Sequence, residues 1–131
     1  MPPTAAQRRI FELAQSFRTA AVAITFAELD IGAQLVAGPL PTERLAAAVG
    51  ADPLALARFL RAAAALDLVV ETAAGWQLTP LAAETLVPES PHSLARFLAN
   101  QAAFYRRWGL LTEAVRTGRA PEASRREEDR A

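Results

Sequence analysis

The stretch from Thr42 to Thr79 limits the fold of this chain more than any other, because it holds start and stop signals for four consecutive elements. Thr42 is expected to cap a short helix that ends at Gly50. Asp52 followed by Pro53 predicts the start of a second helix. An aspartate accepts hydrogen bonds from the free N–H groups of a first turn, and proline is well tolerated at the first helical position. The short turn between the two helices fits a helix-turn-helix corner.

Apolar residues recur at helical spacing along the second helix, which is expected to end near Asp67; they are Leu56, Phe59, Leu60, Ala63 and Leu66. Residues 68–72 are apolar and partly β-branched, residues 73–75 can turn, and residues 76–79 alternate between apolar and polar. This pattern predicts a β-hairpin. Pro80 stops the second strand and can begin another helix. Helix, turn, helix and hairpin in this order predict a winged helix-turn-helix.

The segment before this unit is predicted to be helical. Residues 4–31 contain neither proline nor glycine, Thr4 can cap their start, and Thr19 or Thr25 could mark a bend. Two apolar stripes follow the helical spacing: Ile10, Phe17, Ile24 and Ile31 form one, and Phe11, Val22, Phe26 and Leu29 form the other. A helix that packs only on its own domain needs one stripe. The second stripe predicts contact with another chain, which would also help to bury a composition that is 52% hydrophobic. The predicted dimer-interface residues are Ile10, Phe11, Phe17, Val22 and Phe26.

The segment after the unit is also predicted to be helical. Pro80 to Leu86 predicts a short helix, and Ser90-Pro91 predicts the start of a longer one that reaches Gly118. Gly109, or the pair Asn100-Gln101, could divide the longer helix in two. Core and interface packing accounts for its aromatic residues, while the alternative is a ligand pocket faced by Tyr105, Trp108 or Asn100. From Arg119 onward the sequence is charged and aperiodic, which predicts a linker or a disordered tail.

Winged helix-turn-helix units serve either to contact DNA or to contact another protein chain. Arg58 and Arg61 on the outward face of the second helix favour DNA, but Asp52 at its start would repel phosphate. The hairpin turn 73–75 carries no basic residue, and 14 basic residues balance 14 acidic ones. Nucleic-acid-binding modules are usually basic. We therefore predict a protein-contact module, with a small DNA-binding transcriptional regulator as the alternative and a free-standing dimerisation or ligand-binding protein as a third possibility.

The sequence contains little that could support catalysis or hold a metal ion. It has no cysteine, and His92 is its single histidine, expected at the surface. No glycine-rich loop follows a strand, and the carboxylates Glu12, Glu28 and Asp30 are expected to be solvated or to cap helices. We expect no catalytic residue, no cofactor-binding residue and no metal site in this chain. Neither a signal peptide nor a membrane-spanning run is recognisable, and a cytoplasmic protein is expected.

Several short segments resemble, in order and spacing, those of bacterial and plant small-molecule O-methyltransferases. They are Phe11–Ala14 leading to Ala27–Ile31, Thr42–Ala46, Leu60–Leu66, Trp76–Ala82, Trp108–Leu111 and Val115–Gly118. The run Ala27–Ile31, for example, is similar to the "AELGI" of that family, and Trp76–Ala82 to its "F-x-L-T-P-L-G". The resemblance covers residues 8 to 121. Arg119–Glu122 departs from the "P-A-F" that usually follows Thr-Gly in the family.

The resemblance implies an N-terminal winged-helix dimerisation domain, here residues 4–118, followed by a charged linker or tail, residues 119–131. In this family the first helices intertwine with the partner subunit and help to form the acceptor-substrate pocket. By position, the expected pocket residues are Phe17, Asn100, Phe104, Tyr105 and Trp108. The catalytic base and the S-adenosylmethionine-binding loop of the family lie in a second, Rossmann-like domain. We therefore expect a homodimer that on its own neither methylates nor binds S-adenosylmethionine. Some family members no longer methylate, which leaves the reaction of a longer protein open.

Overall fold

The chain forms a mainly helical domain with one β-hairpin. The computed structural model describes residues 1–120, so residues 121–131, most of the predicted tail, lie outside the described part. Along the chain the elements are α1 (Ala5–Glu28), α2 (Ile31–Leu35), α3 (Thr42–Val49), α4 (Pro53–Ala65), β1 (Val69–Thr72), β2 (Gly75–Leu78), α5 (Pro80–Thr85), α6 (Ala95–Trp108) and α7 (Leu111–Thr117). The two strands are antiparallel, with Val69 opposite Leu78. This confirms the predicted winged helix-turn-helix with additional helices at both ends.

The hydrophobic core lies between the C-terminal end of α1, helices α2 to α5 and the hairpin. Its largest fully buried side chains are Phe26, Ile31, Leu45, Leu60 and Val69. Full burial of one such side chain contributes about 1.5–3 kcal/mol, so these residues dominate the packing of the unit. We call residues 21–94, which contain this core, the body.

The structure corrects the predicted role of Phe26. Its side chain is 0% exposed in the single chain and belongs to the core of the body, so it has no surface to offer a partner. Val22 is half-buried and packs against the same core. Helix α1 also continues through Thr19 and Thr25 and is not divided into two helices there. The predicted interface therefore depends on the residues nearer the N-terminus.

Several predicted caps are confirmed by their hydrogen bonds. Thr4 forms a capping box with Gln7, whose backbone N–H donates to the threonine hydroxyl at 3.1 Å. The carboxylate of Asp52 accepts the N–H of Ala55 at 2.8 Å at the start of α4. Gly50 ends α3 with a φ of 70°, in the left-handed region. These local signals correctly located three helix ends because the bonding partners are neighbours in sequence.

Two predicted caps are wrong, because the hydroxyl groups bond to residues outside the first turn of the predicted helix. The N-cap of α3 is Pro41, and the Thr42 hydroxyl accepts the indole N–H of Trp76 at 3.0 Å. Ser90 donates its hydroxyl to the Glu84 carbonyl, and α6 begins at Ala95 rather than at Pro91. Helix α4 also ends at Ala65, two residues before the expected end.

The bond between Thr42 and Trp76 gives a first testable prediction. Trp76 is buried, and a buried indole N–H without an acceptor costs about 1–3 kcal/mol. We expect Thr42→Val to lower the free energy of unfolding by that amount, as measured by urea denaturation. The matched control is Thr112→Val at an exposed threonine of α7, where a change within about 0.5 kcal/mol is expected. Equal effects of the two substitutions would contradict the role of this bond.

Candidate functional site

The N-terminal part of α1 projects from the body and packs along α6. Every residue from 1 to 20 is exposed, whereas α1 beyond residue 20 enters the core. Helix α6 runs beside α1, and α7 continues after a break at Gly109, one of the two predicted break points. We call residues 5–20 together with residues 95–118 the arm. The arm thus consists of the N-terminal part of α1 packed along α6, followed by α7.

Large apolar side chains cover much of the arm surface. Trp108 is 68% exposed and Ile10 is 63% exposed. The exposed large apolar residues of the arm are Ile10, Phe11, Leu13, Phe17, Phe97, Phe104, Tyr105, Trp108, Leu111 and Val115. Monomeric soluble proteins rarely leave such an extended apolar surface in water. The arm therefore has the character of a surface that contacts a further protein chain.

Three of the five predicted interface residues lie on this surface, namely Ile10, Phe11 and Phe17. They fall on the part of α1 that the body does not cover. Their contact with a second copy stays a prediction, and the structure establishes that their side chains are available for it.

A cavity of about 300 Å³ opens between α1 and the end of α6. It is lined by Phe17, Tyr105, Arg106, Trp108 and Gly109. Three of the predicted pocket residues, Phe17, Tyr105 and Trp108, thus come together although more than 80 positions separate Phe17 from the other two. The cavity has space for a small aromatic molecule, and its walls are rings that can stack on one.

Two predicted pocket residues do not line this cavity. Asn100 is exposed on α6, two turns before the cavity, and Phe104 is about half exposed. Arg106 was missed, although its place in the run Tyr105–Trp108 between aromatic residues was a usable signal. A larger cleft of about 440 Å³ lies elsewhere, between the end of α1 and the start of α6. Its lining is small or polar and contains none of the predicted residues.

Arginines accompany the aromatic side chains of the arm. The guanidinium carbon of Arg18 lies 5.7 Å from the centre of the Phe17 ring. The guanidinium carbon of Arg107 lies at the same distance, 5.7 Å, from the centre of the Phe104 ring. Cations in this position are attracted by the negative face of the ring, by about 0.5–1 kcal/mol at exposed sites. The apolar surface is therefore bordered by positive charge.

The charge of the chain is divided between its two parts. The arm holds seven arginines and two glutamates, so its formal charge is +5. The body holds three arginines and eight acidic residues, so its formal charge is −5. The zero net charge of the whole chain conceals this division. One ion pair of the arm, Arg9 with Glu12 at 3.6 Å, joins two exposed side chains and contributes little to stability.

The body offers weak support for DNA contact. Arg58 and Arg61 are exposed on α4, but so is Leu54, and the carboxylate of Asp52 stands at the helix start. The hairpin turn presents Ala73 and Ala74. An acidic body with an apolar helix start is poorly suited to a phosphate backbone.

Neither a metal-ligand cluster nor a membrane-spanning helix is present within residues 1–120. No group of three or more histidine, cysteine, aspartate or glutamate residues there is placed to hold a metal ion. None of the helices in this part of the chain is long and apolar enough to cross a membrane. His92 is exposed in the turn before α6.

Comparison with known proteins identifies the family. The family model of the O-methyltransferase dimerisation domain matches residues 11–89, and the chain belongs to this family. It is 36% identical to 3-amino-4-hydroxybenzoate 4-O-methyltransferase of Streptomyces cremeus, over 90% of this chain and 33% of the relative. It is 34% identical to O-demethylpuromycin-O-methyltransferase of Streptomyces alboniger, over 86% of this chain and 30% of the relative. The chain therefore spans about a third of the length of these curated relatives.

Solved structures agree with this assignment. Human N-acetylserotonin methyltransferase, solved in complex with SAM, is similar with a TM-score of 0.76 and 32% identity, over 89% of this chain and 36% of that one. The N,N-8-amino-8-demethyl-D-riboflavin dimethyltransferase of Streptomyces davawensis has a TM-score of 0.75 and 34% identity, over 89% of this chain and 35% of that one. The chain has the fold of the dimerisation domain of O-methyltransferases, and the comparisons give no support to the DNA-binding alternative.

The two tryptophans allow the availability of the arm to be tested. Trp76 is buried in the body, whereas Trp108 is 68% exposed on the arm. In protein labelled with 5-fluorotryptophan, we expect the ¹⁹F resonance of Trp108 to shift with protein concentration, because association covers its ring. The resonance of Trp76 should stay constant. A Trp108 resonance that does not depend on concentration while the oligomeric state changes would show that another surface associates.

Proposed function

We propose that this chain is the dimerisation module of an S-adenosylmethionine-dependent O-methyltransferase, and that two copies associate through their arms. The observation that carries the proposal is the exposed apolar surface of the arm. A half-exposed aromatic side chain presents on the order of 100 Å². The arm has ten exposed large apolar side chains, six aromatic and four aliphatic, and together they supply an area comparable with the roughly 800 Å² that each partner buries in a standard interface.

The same module is proposed to contribute one wall of the acceptor-substrate pocket. The cavity between Phe17 and Trp108 supports this, because two elements distant in sequence bring three aromatic rings to one opening. Aromatic side chains bind planar molecules by stacking and by burial of apolar area. The relatives named above act on small molecules, as their names state, and this fits a pocket of such dimensions.

The described residues do not fit S-adenosylmethionine itself. The sheet within residues 1–120 is a two-stranded antiparallel hairpin, and no glycine-rich loop there joins a parallel strand to a helix. A dinucleotide or nucleoside cofactor of a Rossmann-like domain needs such a loop for close backbone approach. We therefore assign the cofactor and the methyl-transfer step to a further domain of a longer protein. A cytoplasmic location stays a prediction.

Sedimentation velocity tests the proposed association. We expect the 131-residue chain to be dimeric at micromolar concentration. Ile10→Glu should weaken the dimer at least about tenfold, because it places a charge in an apolar interface. The control is Leu54→Glu on the body, where the replaced side chain is 65% exposed, close to the 63% of Ile10. A monomeric parent chain, or equal weakening by both substitutions, would contradict the proposal.

The length of the native protein tests the assignment to a methyltransferase. Mass spectrometry of the protein isolated from its own cells should give a mass larger by one domain, on the order of 200 residues. S-adenosylmethionine should then bind the longer protein and leave the 131-residue chain unoccupied in calorimetry. A native mass equal to the 14.0 kDa of this chain would exclude the enzymatic part of the proposal and leave the dimerisation part standing.

A further inference from the structure

We infer that the cavity between Phe17 and Trp108 selects planar aromatic ligands that carry a negative charge. Resting on the proposed function, this inference adds a substrate class to the proposed acceptor pocket. Its starting point is that the lining combines three aromatic side chains with one cation. Phe17, Tyr105 and Trp108 supply the rings, and Arg106 supplies the charge.

The positive character of the cavity is not limited to Arg106. The last turn of α6, which reaches the cavity, contains Arg106 and Arg107, and the whole helix contains no acidic residue. Arg18 lies against the ring of Phe17, which is itself part of the lining. The acidic residues of the arm are Glu12, which pairs with Arg9, and Glu113 on α7. Within the arm, an anion at the cavity therefore meets more cationic than anionic side chains.

The helix dipole of α6 opposes this preference and is outweighed. The cavity lies at the C-terminal end of α6, where the free carbonyl groups correspond to about half a negative charge. The last turn also carries Arg106 and Arg107, and the Arg106 side chain belongs to the lining of the cavity. A full positive charge in the lining exceeds the half charge of the helix end, which favours a carboxylate over a neutral group of the same size.

The division of charge over the whole chain acts in the same direction. An arm of charge +5 attracts anions, and a body of charge −5 repels them. Clefts lined by charge of one sign raise the local concentration of oppositely charged ligands, and salt weakens this effect. Anionic ligands are thus directed to the part of the molecule that contains the aromatic cavity.

Three size-matched phenols can test the inference. The probes are 4-hydroxybenzoate, 4-hydroxybenzamide and 4-hydroxybenzylamine, which at neutral pH are anionic, neutral and cationic. Binding to the 131-residue chain is followed by the ¹⁹F resonance of Trp108 in 5-fluorotryptophan-labelled protein. Trp76 is buried in the body and does not line the cavity, so its resonance serves as the internal reference.

We expect the anion to bind about fivefold more tightly than the amide, because Arg106 is exposed and exposed ion pairs are weak. The amine should bind least. Roughly 0.5 M salt should remove most of the difference. In low salt, Arg106→Gln should remove the preference for the anion over the amide, and Arg106→Lys should restore this preference. The matched control Arg58→Gln changes an exposed arginine of α4 in the body and should leave the preference intact.

Each contrary result overturns the inference. Equal binding of anion and amide, tighter binding of the amine, or a Trp108 resonance that none of the probes moves would each do so. A preference for the anion that persists in Arg106→Gln would also overturn the inference. The comparison of the three probes on the parent chain is decisive even if a variant does not fold. Sedimentation of the same samples separates the two proposals, since a dimer without anion preference contradicts this inference alone and a monomer contradicts the proposed function.

Discussion

The anchoring of α1 is the constraint on which the rest of this structure depends. The helix is 24 residues long, and at 1.5 Å per residue it extends about 36 Å, more than a body of this size can cover. Its last turns are fixed by Ile24 and Phe26, both buried. The first sixteen residues of the helix consequently project into solvent and carry their apolar side chains with them. Helix α6 covers one side of this projection, and the remaining surface is the one to which we assign the partner chain and the ligand.

The sequence allowed contacts between neighbouring residues to be predicted better than contacts between residues far apart in the chain, for a physical reason. In an N-cap such as Asp52, the carboxylate accepts the N–H of Ala55, only three residues away. A local sequence pattern is therefore enough to predict the bond. Thr42 and Ser90 looked like equally good caps, but their hydroxyls bond to Trp76 and Glu84. Such a contact depends on tertiary packing, so it cannot be predicted from the spacing of residues in the sequence.

The two apolar stripes of α1 show how far periodicity can be used. Periodicity indicates which side chains share a face of a helix, and it correctly indicated an excess of apolar surface. It cannot indicate where along the helix the body ends. Ile10 and Ile24 belong to one stripe, yet Ile10 is exposed and Ile24 is buried. In the other stripe, Phe11 is likewise exposed, whereas Phe26 is buried in the core. Whether a residue of α1 belongs to the core or to the arm therefore depends on its position along the helix axis and not on the face of the helix that it occupies.

Hydrophobic burial and electrostatic repulsion oppose each other in the proposed dimer, and burial is the larger of the two once salt is present. Two arms of charge +5 form 25 pairs of like charges, which at 10 Å in water amount to about 10 kcal/mol. Physiological salt, with a Debye length of about 8 Å, lowers this repulsion to about 3 kcal/mol. Burial of about 800 Å² of apolar area contributes roughly 20 kcal/mol before the entropic costs of association. The apolar surface can therefore bring two positively charged arms together. The positive field that the proposed dimer tolerates is also the field that an anionic aromatic ligand would meet.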